Sequence, residues 1–142
     1  MGSEMCIRDS DWALERQGQI LDSLTLDATK ANWIQGLDDF DAIFCANMIH
    51  IAPWEAALGL ARGAGEILSV GGQMFLYGPF QEGDDTAESN LKFDVNLKSR
   101  NPAWGVRHLD SVKHIFADAG FNMTARIVMP KENRLLIFTK SP

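Results

Sequence analysis

The sequence, 142 residues long, predicts an α/β fold: a doubly wound sheet that finishes in an antiparallel β-hairpin. Three observations carry this. Ala42 to Ala46 in FDAIFCANMIHI is an unbroken apolar run that turns polar at Asn47 and His50, the pattern of a parallel strand covered on both faces. Strand, helix and strand then recur with short loops between residues 40 and 80, the signature of a right-handed βαβ unit. Finally, Phe121 to Met129 alternates strictly and is followed, across PKEN, by the apolar run RLLIFTK.

Composition sets the outer limits. A chain of this length is one domain with room for a core. It is 46% hydrophobic and 23% charged, ordinary for a globular protein. The net charge is −6 without a basic cluster. Because nucleic-acid affinity comes largely from neutralising phosphates, a nucleic-acid partner is disfavoured. No apolar run reaches the roughly 18–20 residues that span a bilayer, and the first residues lack a signal-peptide core. Cys6 and Cys45 are far apart and form no CxxC pair. No metal site or disulfide framework is expected, and a reducing cytoplasm is. Nothing in the sequence sets an oligomeric state.

The elements follow in order. Residues 1–10, MGSEMCIRDS, have no periodicity and are expected to be a non-native leader. Asp11 to Gln19 reads as a helix end running into a loop. Ile20 to Asp27 places Ile20, Leu24 and Leu26 as the apolar side of a strand ending at Asp27-Ala28. Lys30 to Asp39 is a polar connection anchored by Trp33 and Ile34. After the Phe40–Ala46 strand, Pro53 fits the first turn of a helix. Ala57, Leu58, Leu60, Ala61, Ala64, Ile67 and Leu68 form its apolar stripe. Gly59, Gly63 and Gly65 should each cost up to about 1 kcal/mol relative to Ala, so a close approach of helix to sheet is expected at Gly59 and Gly63. Val70-Gly71-Gly72 is expected to end the helix, and Gln73 to Phe80 is the next strand.

Glu82 onward is acidic and loop-like. Asn90 to Lys98 could be a helix with Leu91, Val95 and Phe93 turned inward. Asp110 to Ala119 is a second helix, with Asp110 as its N-cap and Val112, Ile115, Phe116 and Ala119 as its stripe; Gly120 stops it. Phe121–Met129 is a half-exposed strand, and Arg134–Lys140 is its partner.

The hairpin ending and the strand-end Asn47 resemble the carboxyl-terminal part of class I S-adenosylmethionine (SAM) dependent methyltransferases. More closely, FDAIFCANMIHIAPWEA, VGGQMFLYGPF and NPAWGVR resemble a methyltransferase-like family, domain of unknown function 938, over about Leu21 to Lys140. The resemblance implies a Rossmann-like sheet of the class I methyltransferase type, ordered 3-2-1-4-5-7-6. Ile20–Asp27 would be the third strand, Phe40–Ala46 the fourth and Gln73–Phe80 the fifth. SAM is the cofactor it implies, with Asp27 and Ala28 flanking the adenine and Asn47, with Met48, beside the methionine portion. His50, Trp54 and Tyr77 would face the methyl group and a small-molecule acceptor.

No GxG motif precedes the third strand, and two strand–helix units, on the order of 60 residues, have no counterpart. The chain is therefore expected to be an incomplete domain, inactive by itself. Its third strand should float or move in beside the fourth, which becomes an unpaired apolar edge.

Each residue has a plainer alternative. His50 as general base would take the acceptor's proton. A histidine that hydrogen-bonds a loop and shapes the pocket weighs more, because many methyl transfers rely on positioning and desolvation. Asp27 could accept from a nucleoside amine or cap the next turn. Asn47 could bind a ligand or cap a strand end. Trp54 and Trp104 suit an acceptor pocket or the core. Arg107 suits an anionic substrate or a surface ion pair, and Cys45 suits packing more than nucleophilic attack. His108 and His114 are expected at the surface. A non-catalytic protein binding a nucleoside or a partner protein through the same cleft is the alternative function. A dinucleotide-dependent dehydrogenase is weakened by the terminal hairpin and the missing strand–GxGxxG–helix unit.

Overall fold

The computed structural model describes residues 18–142. The leader and most of the expected amino-terminal helix end lie outside these residues. Four strands, β1 (Phe40–Ala46), β2 (Leu68–Gly78), β3 (Phe121–Met129) and β4 (Asn133–Lys140), form one sheet in the order β1-β2-β4-β3. β1 and β2 are parallel, while β4 runs antiparallel to both β2 and β3. This is the 4-5-7-6 half of the expected order. Helices α1 (Trp54–Ile67), α2 (Glu88–Arg100) and α3 (Leu109–Asp118) complete the fold. No described helix is long and apolar enough to cross a membrane.

The core lies where α1 and α3 cover the sheet. Met74, Leu76, Leu136 and Phe138 meet Ala57, Leu60, Ala64, Val112 and Phe116, all buried. Phe116 stacks on Phe138 with ring centroids 4.7 Å apart and takes the edge of Phe121 at 5.7 Å. These offset and edge geometries suit aromatic quadrupoles. Lys140 Nζ donates to the carbonyls of Gly65 and Leu68. It thereby satisfies orphan acceptors at the end of α1, where a cation is also favoured.

Several expectations need correction. Ile20–Asp27 forms no strand; Leu21, Leu24 and Leu26 are exposed. A strand exists only by pairing, and no described strand lies beside this segment. It forms no ladder with β1, although Leu21, Leu24 and Leu26 line cavities shared with β1 residues. Among the described strands β1 is consequently an edge, and it is not covered on both faces: Phe44 is 65% exposed. Gly59 and Gly63 do admit a close approach, but to the Ala28–Trp33 segment and not to the sheet. A Cβ on Gly59 would overlap the Ala28 carbonyl, and one on Gly63 would overlap the Trp33 ring. Trp33 Nε1 donates to Gly59 O at 2.8 Å, which secures that contact.

α1 stops at Ile67, earlier than expected, and Gly71 (φ 84°) turns within β2 instead of capping the helix. The inner face of α2 is Asn90, Asp94 and Leu97, while Leu91, Phe93 and Val95 are exposed. Hydrogen bonding, not apolarity, chooses that face. Asp94 Oδ1 accepts from Val106 N–H at 2.9 Å, and Asn90 Nδ2 donates to Glu132 O at 3.1 Å. α3 is capped by His108, with Asp110 already inside its first turn.

Candidate functional site

β1 is followed by Asn47, whose φ of 63° is left-handed, a conformation that asparagine tolerates better than most residues. Its N–H donates to Tyr77 O at 2.8 Å, prolonging the β1–β2 ladder by one bond. A 3-10 turn over Met48–His50 then drives Ile49 and His50 inward. His50 is only 1% exposed. Its carbonyl accepts from Gly105 N–H at 2.9 Å, and its Nδ1 accepts from Arg107 N–H at 3.1 Å. Phe80 meets the imidazole edge-on at 5.0 Å. Burial first, and the Arg107 charge second, pull the imidazole pKa down to about 4. His50 is thus neutral at ordinary pH, and the bonded Nδ1 leaves the ring hydrogen on Nε2.

Arg107 ties the same turn from the other side. Its guanidinium donates to the carbonyls of Ile49, Ala52 and Ala103 at 2.9, 2.7 and 2.8 Å. It also lies 5.5 Å from the Trp54 ring centroid, within cation–π range. These bonds pin NPAWGVR against NMIHIAPW, two of the stretches singled out in the sequence. Trp104 is half-buried within that segment, with its N–H on Asn101 O at 3.0 Å. His108 and His114 are both at the surface, and His114 sits 3.5 Å from Asp118.

Asp27 is exposed, and its Oδ1 accepts from Thr29 N–H at 3.0 Å and from the Thr29 hydroxyl at 2.6 Å. These bonds hold its carboxyl below the usual range and shape an Asx turn. Asp27, Ala28 and Met48 nonetheless share one cavity of about 390 Å³, walled by Leu26, Phe44 and Pro53. Trp54 and Arg107 line a second, of about 280 Å³, together with Asp94, Lys98 and His108. Tyr77 and Trp104 line neither. A larger hollow of about 520 Å³ between α1 and α3 is remote from the strand ends, where ligands of open α/β sheets gather.

Cys45 is mostly buried, and burial raises its thiol pKa to about 11, which suits packing. Sequence reasoning missed Asp94, the buried carboxylate that orders Val106 beside the second cavity. Its only signal was the i,i+4 spacing to Lys98, whose Nζ lies 2.7 Å from it. No group of residues suited to hold a metal ion occurs among those described.

The 390 Å³ cavity has mostly apolar walls, and the Asp27 carboxylate is among the groups that line it. No described cation lines that cavity to receive a carboxylate, and the sequence has no glycine-rich turn before Asp27 to cradle one.

A family model described as a protein of unknown function, DUF938, matches residues 11–140. Among solved structures, the fold resembles an O-methyltransferase family protein from Burkholderia thailandensis. The TM-score is 0.78 at 15% identity, covering 95% of this chain and 40% of that one. It also resembles human N-acetylserotonin methyltransferase solved in complex with SAM: TM-score 0.73, 13% identity, 89% and 36% coverage. An O-methyltransferase family 2 protein from Planctomyces limnophilus, solved with apigenin, gives 0.67, 18%, 76% and 32%. The likeness is one of fold, and the chain spans two fifths or less of each of these proteins.

Proposed function

The chain belongs to DUF938, a family of unknown function, and we propose that it supplies the acceptor-side half of a SAM-dependent methyltransferase domain. The observation that carries this reading is the convergence of Asp27, Ala28 and Met48 on one cavity beside the carboxyl end of β1. When bound, SAM supplies an electrophilic methyl group on a sulfonium. The chain's residues bind and orient. Ala28 and Met48 pack a nucleobase, Asp27 accepts from its amine, and Asn47 marks the end of β1. Trp54 and Arg107 shape an adjoining pocket for a small acceptor molecule. The remaining ligands, a glycine-rich loop and a ribose-binding carboxylate, would come from a preceding segment of a longer protein. A reducing cytoplasm suits the free Cys45.

Radiolabelled SAM incubated with such a longer protein and a broad panel of small acceptors tests the reading. Label transfer to an acceptor supports it. Binding of SAM without transfer to any of them favours a non-catalytic nucleoside-binding role.

A further inference from the structure

The cavity beside Trp54 differs in sign from the others at the described residues. Its lining sets Lys98 and Arg107 against the single carboxylate of Asp94. The hollow between α1 and α3 sets Arg62 against Glu66 and Asp118. The cavity at Phe40 holds Asp22 and Asp38, and the one at Ala28 holds Asp27, with no cation in either lining. In a chain of net charge −6, the Trp54 cavity is the one that attracts an anion.

Its carboxylate is already engaged. Asp94 is buried; its Oδ1 accepts from Val106 N–H at 2.9 Å and its Oδ2 from Lys98 Nζ at 2.7 Å. An ammonium has three donors, so two remain on Lys98, whose side chain is 56% exposed and open to solvent. Gly105 packs against the lysine stem, where a Cβ would come 3.2 Å from Lys98 Cε. Arg107 gives its guanidinium bonds to uncharged carbonyls, and its Nη1 makes no hydrogen bond among the described residues. No described carboxylate comes within ion-pair distance of it. Ser111, in the same lining, adds a hydroxyl.

We infer that this pocket holds the acceptor by a carboxylate paired with Lys98 and Arg107, with an apolar ring or chain of the molecule against Trp54. The inference rests on the methyl-transfer reading above and adds a substrate class to it. Pro53 walls the Asp27 cavity and Trp54 walls this one, so the first turn of α1 joins the two. Size narrows the class. A volume of about 280 Å³ lies below the roughly 300–1,000 Å³ of drug-sized sites, enough for one ring and its head group. Charge narrows it further: one uncancelled cation matches a monoanion, whereas a phosphate dianion brings surplus negative charge beside Asp94.

Benzoate, added to the chain without SAM, tests this. The chain holds four tryptophans, so a sample labelled with nitrogen-15 at the indoles gives a readable spectrum, assigned with Trp54→Phe. At constant ionic strength benzoate is expected to shift the Trp54 Nε1–H resonance saturably, while that of Trp33, bonded to Gly59 O, stays in place. Benzamide, its neutral analogue, and phenyl phosphate should each bind several-fold more weakly. Lys98→Met should weaken benzoate binding several-fold and Lys98→Arg should keep most of it, with an unmoved Trp33 resonance in both variants as the sign of an intact fold. No saturable shift, equal binding of benzamide, tighter binding of phenyl phosphate, or full benzoate affinity in Lys98→Met would each overturn the inference. So would parallel movement of all four indoles, the mark of non-specific contact. Because SAM takes no part, loss of benzoate binding leaves methyl transfer to uncharged acceptors open, and failure of label transfer leaves the benzoate result standing.

Discussion

Arg107 donates its backbone N–H to His50 Nδ1 at 3.1 Å, while its own side chain holds the carbonyl of Ile49, the residue before that histidine. One arginine thereby sets both the position and the tautomer of the imidazole. A surface ion pair, the plainer expectation for Arg107, does not describe it, since its guanidinium bonds are to carbonyls.

Replacing this arginine should therefore loosen a joint. Arg107→Met removes three bonds from a charged donor, each worth up to about 1.5–3 kcal/mol. Partial exposure and water reduce the sum, and a net loss of about 2 kcal/mol is expected in urea unfolding. Arg107→Lys should recover only part, because an ammonium cannot span three divergent carbonyls. Full stability in Arg107→Met would refute the role assigned to the side chain.

The buried imidazole makes stability depend on pH with a definite sign. Its folded pKa of about 4 lies below the ordinary 6.5, so between those values the unfolded chain binds more protons. Stability then rises with pH through this window and is lost as pH falls from 6.5 toward 4. The whole effect is on the order of 3 kcal/mol. Urea midpoints measured from neutral pH down to about pH 4.5 read it before most carboxylates protonate. His50→Gln should flatten the slope, whereas an unchanged slope in that variant would assign the effect elsewhere.

The Ala28–Trp33 segment is held to the fold by an indole over a glycine. Gly63→Ala should gain up to about 1 kcal/mol of helix propensity, yet it puts a methyl group into the Trp33 ring. Net destabilisation is expected, and Trp33→Ala should relieve it, so that the double variant gains from the helix alone. A double-mutant cycle by thermal unfolding measures the coupling, and additive effects would mean that the contact does not form.

These glycines show what the sequence could and could not reveal. Periodicity located α1, α3 and the hairpin because each has an apolar face to bury; an unbroken apolar run located β1, and the polar break at Asn47 located its end. Burial of His50 depended on Arg107, Gly105 and Phe80, distant residues that no local pattern connects to it. α2 misled for a related reason. Its exposed Leu91 and Val95 look like a core face, while the true inner face is chosen by Asp94 and Asn90 through bonds to distant backbone. Ile20–Asp27 has strand character but pairs with no described strand to realise it.

The outer edge of β1, which pairs with no described strand, has a consequence in solution. Phe44 and Phe40, on β1, are exposed; Phe40 lines a cavity with Leu21, Leu24 and Leu26, and Phe44 one with Leu26. Such edges invite intermolecular pairing. Phe44→Lys is expected to lower light scattering at high concentration several-fold with little change in unfolding midpoint. Equal scattering by the variant and the parent would locate the association surface elsewhere.

Calorimetric titration of SAM tests the half-site most directly. This chain should release no binding heat, while a longer protein carrying a glycine-rich strand–turn–helix ahead of Asp27 should bind SAM in the micromolar range. Micromolar binding by this chain alone, or none by the longer protein, would contradict the account.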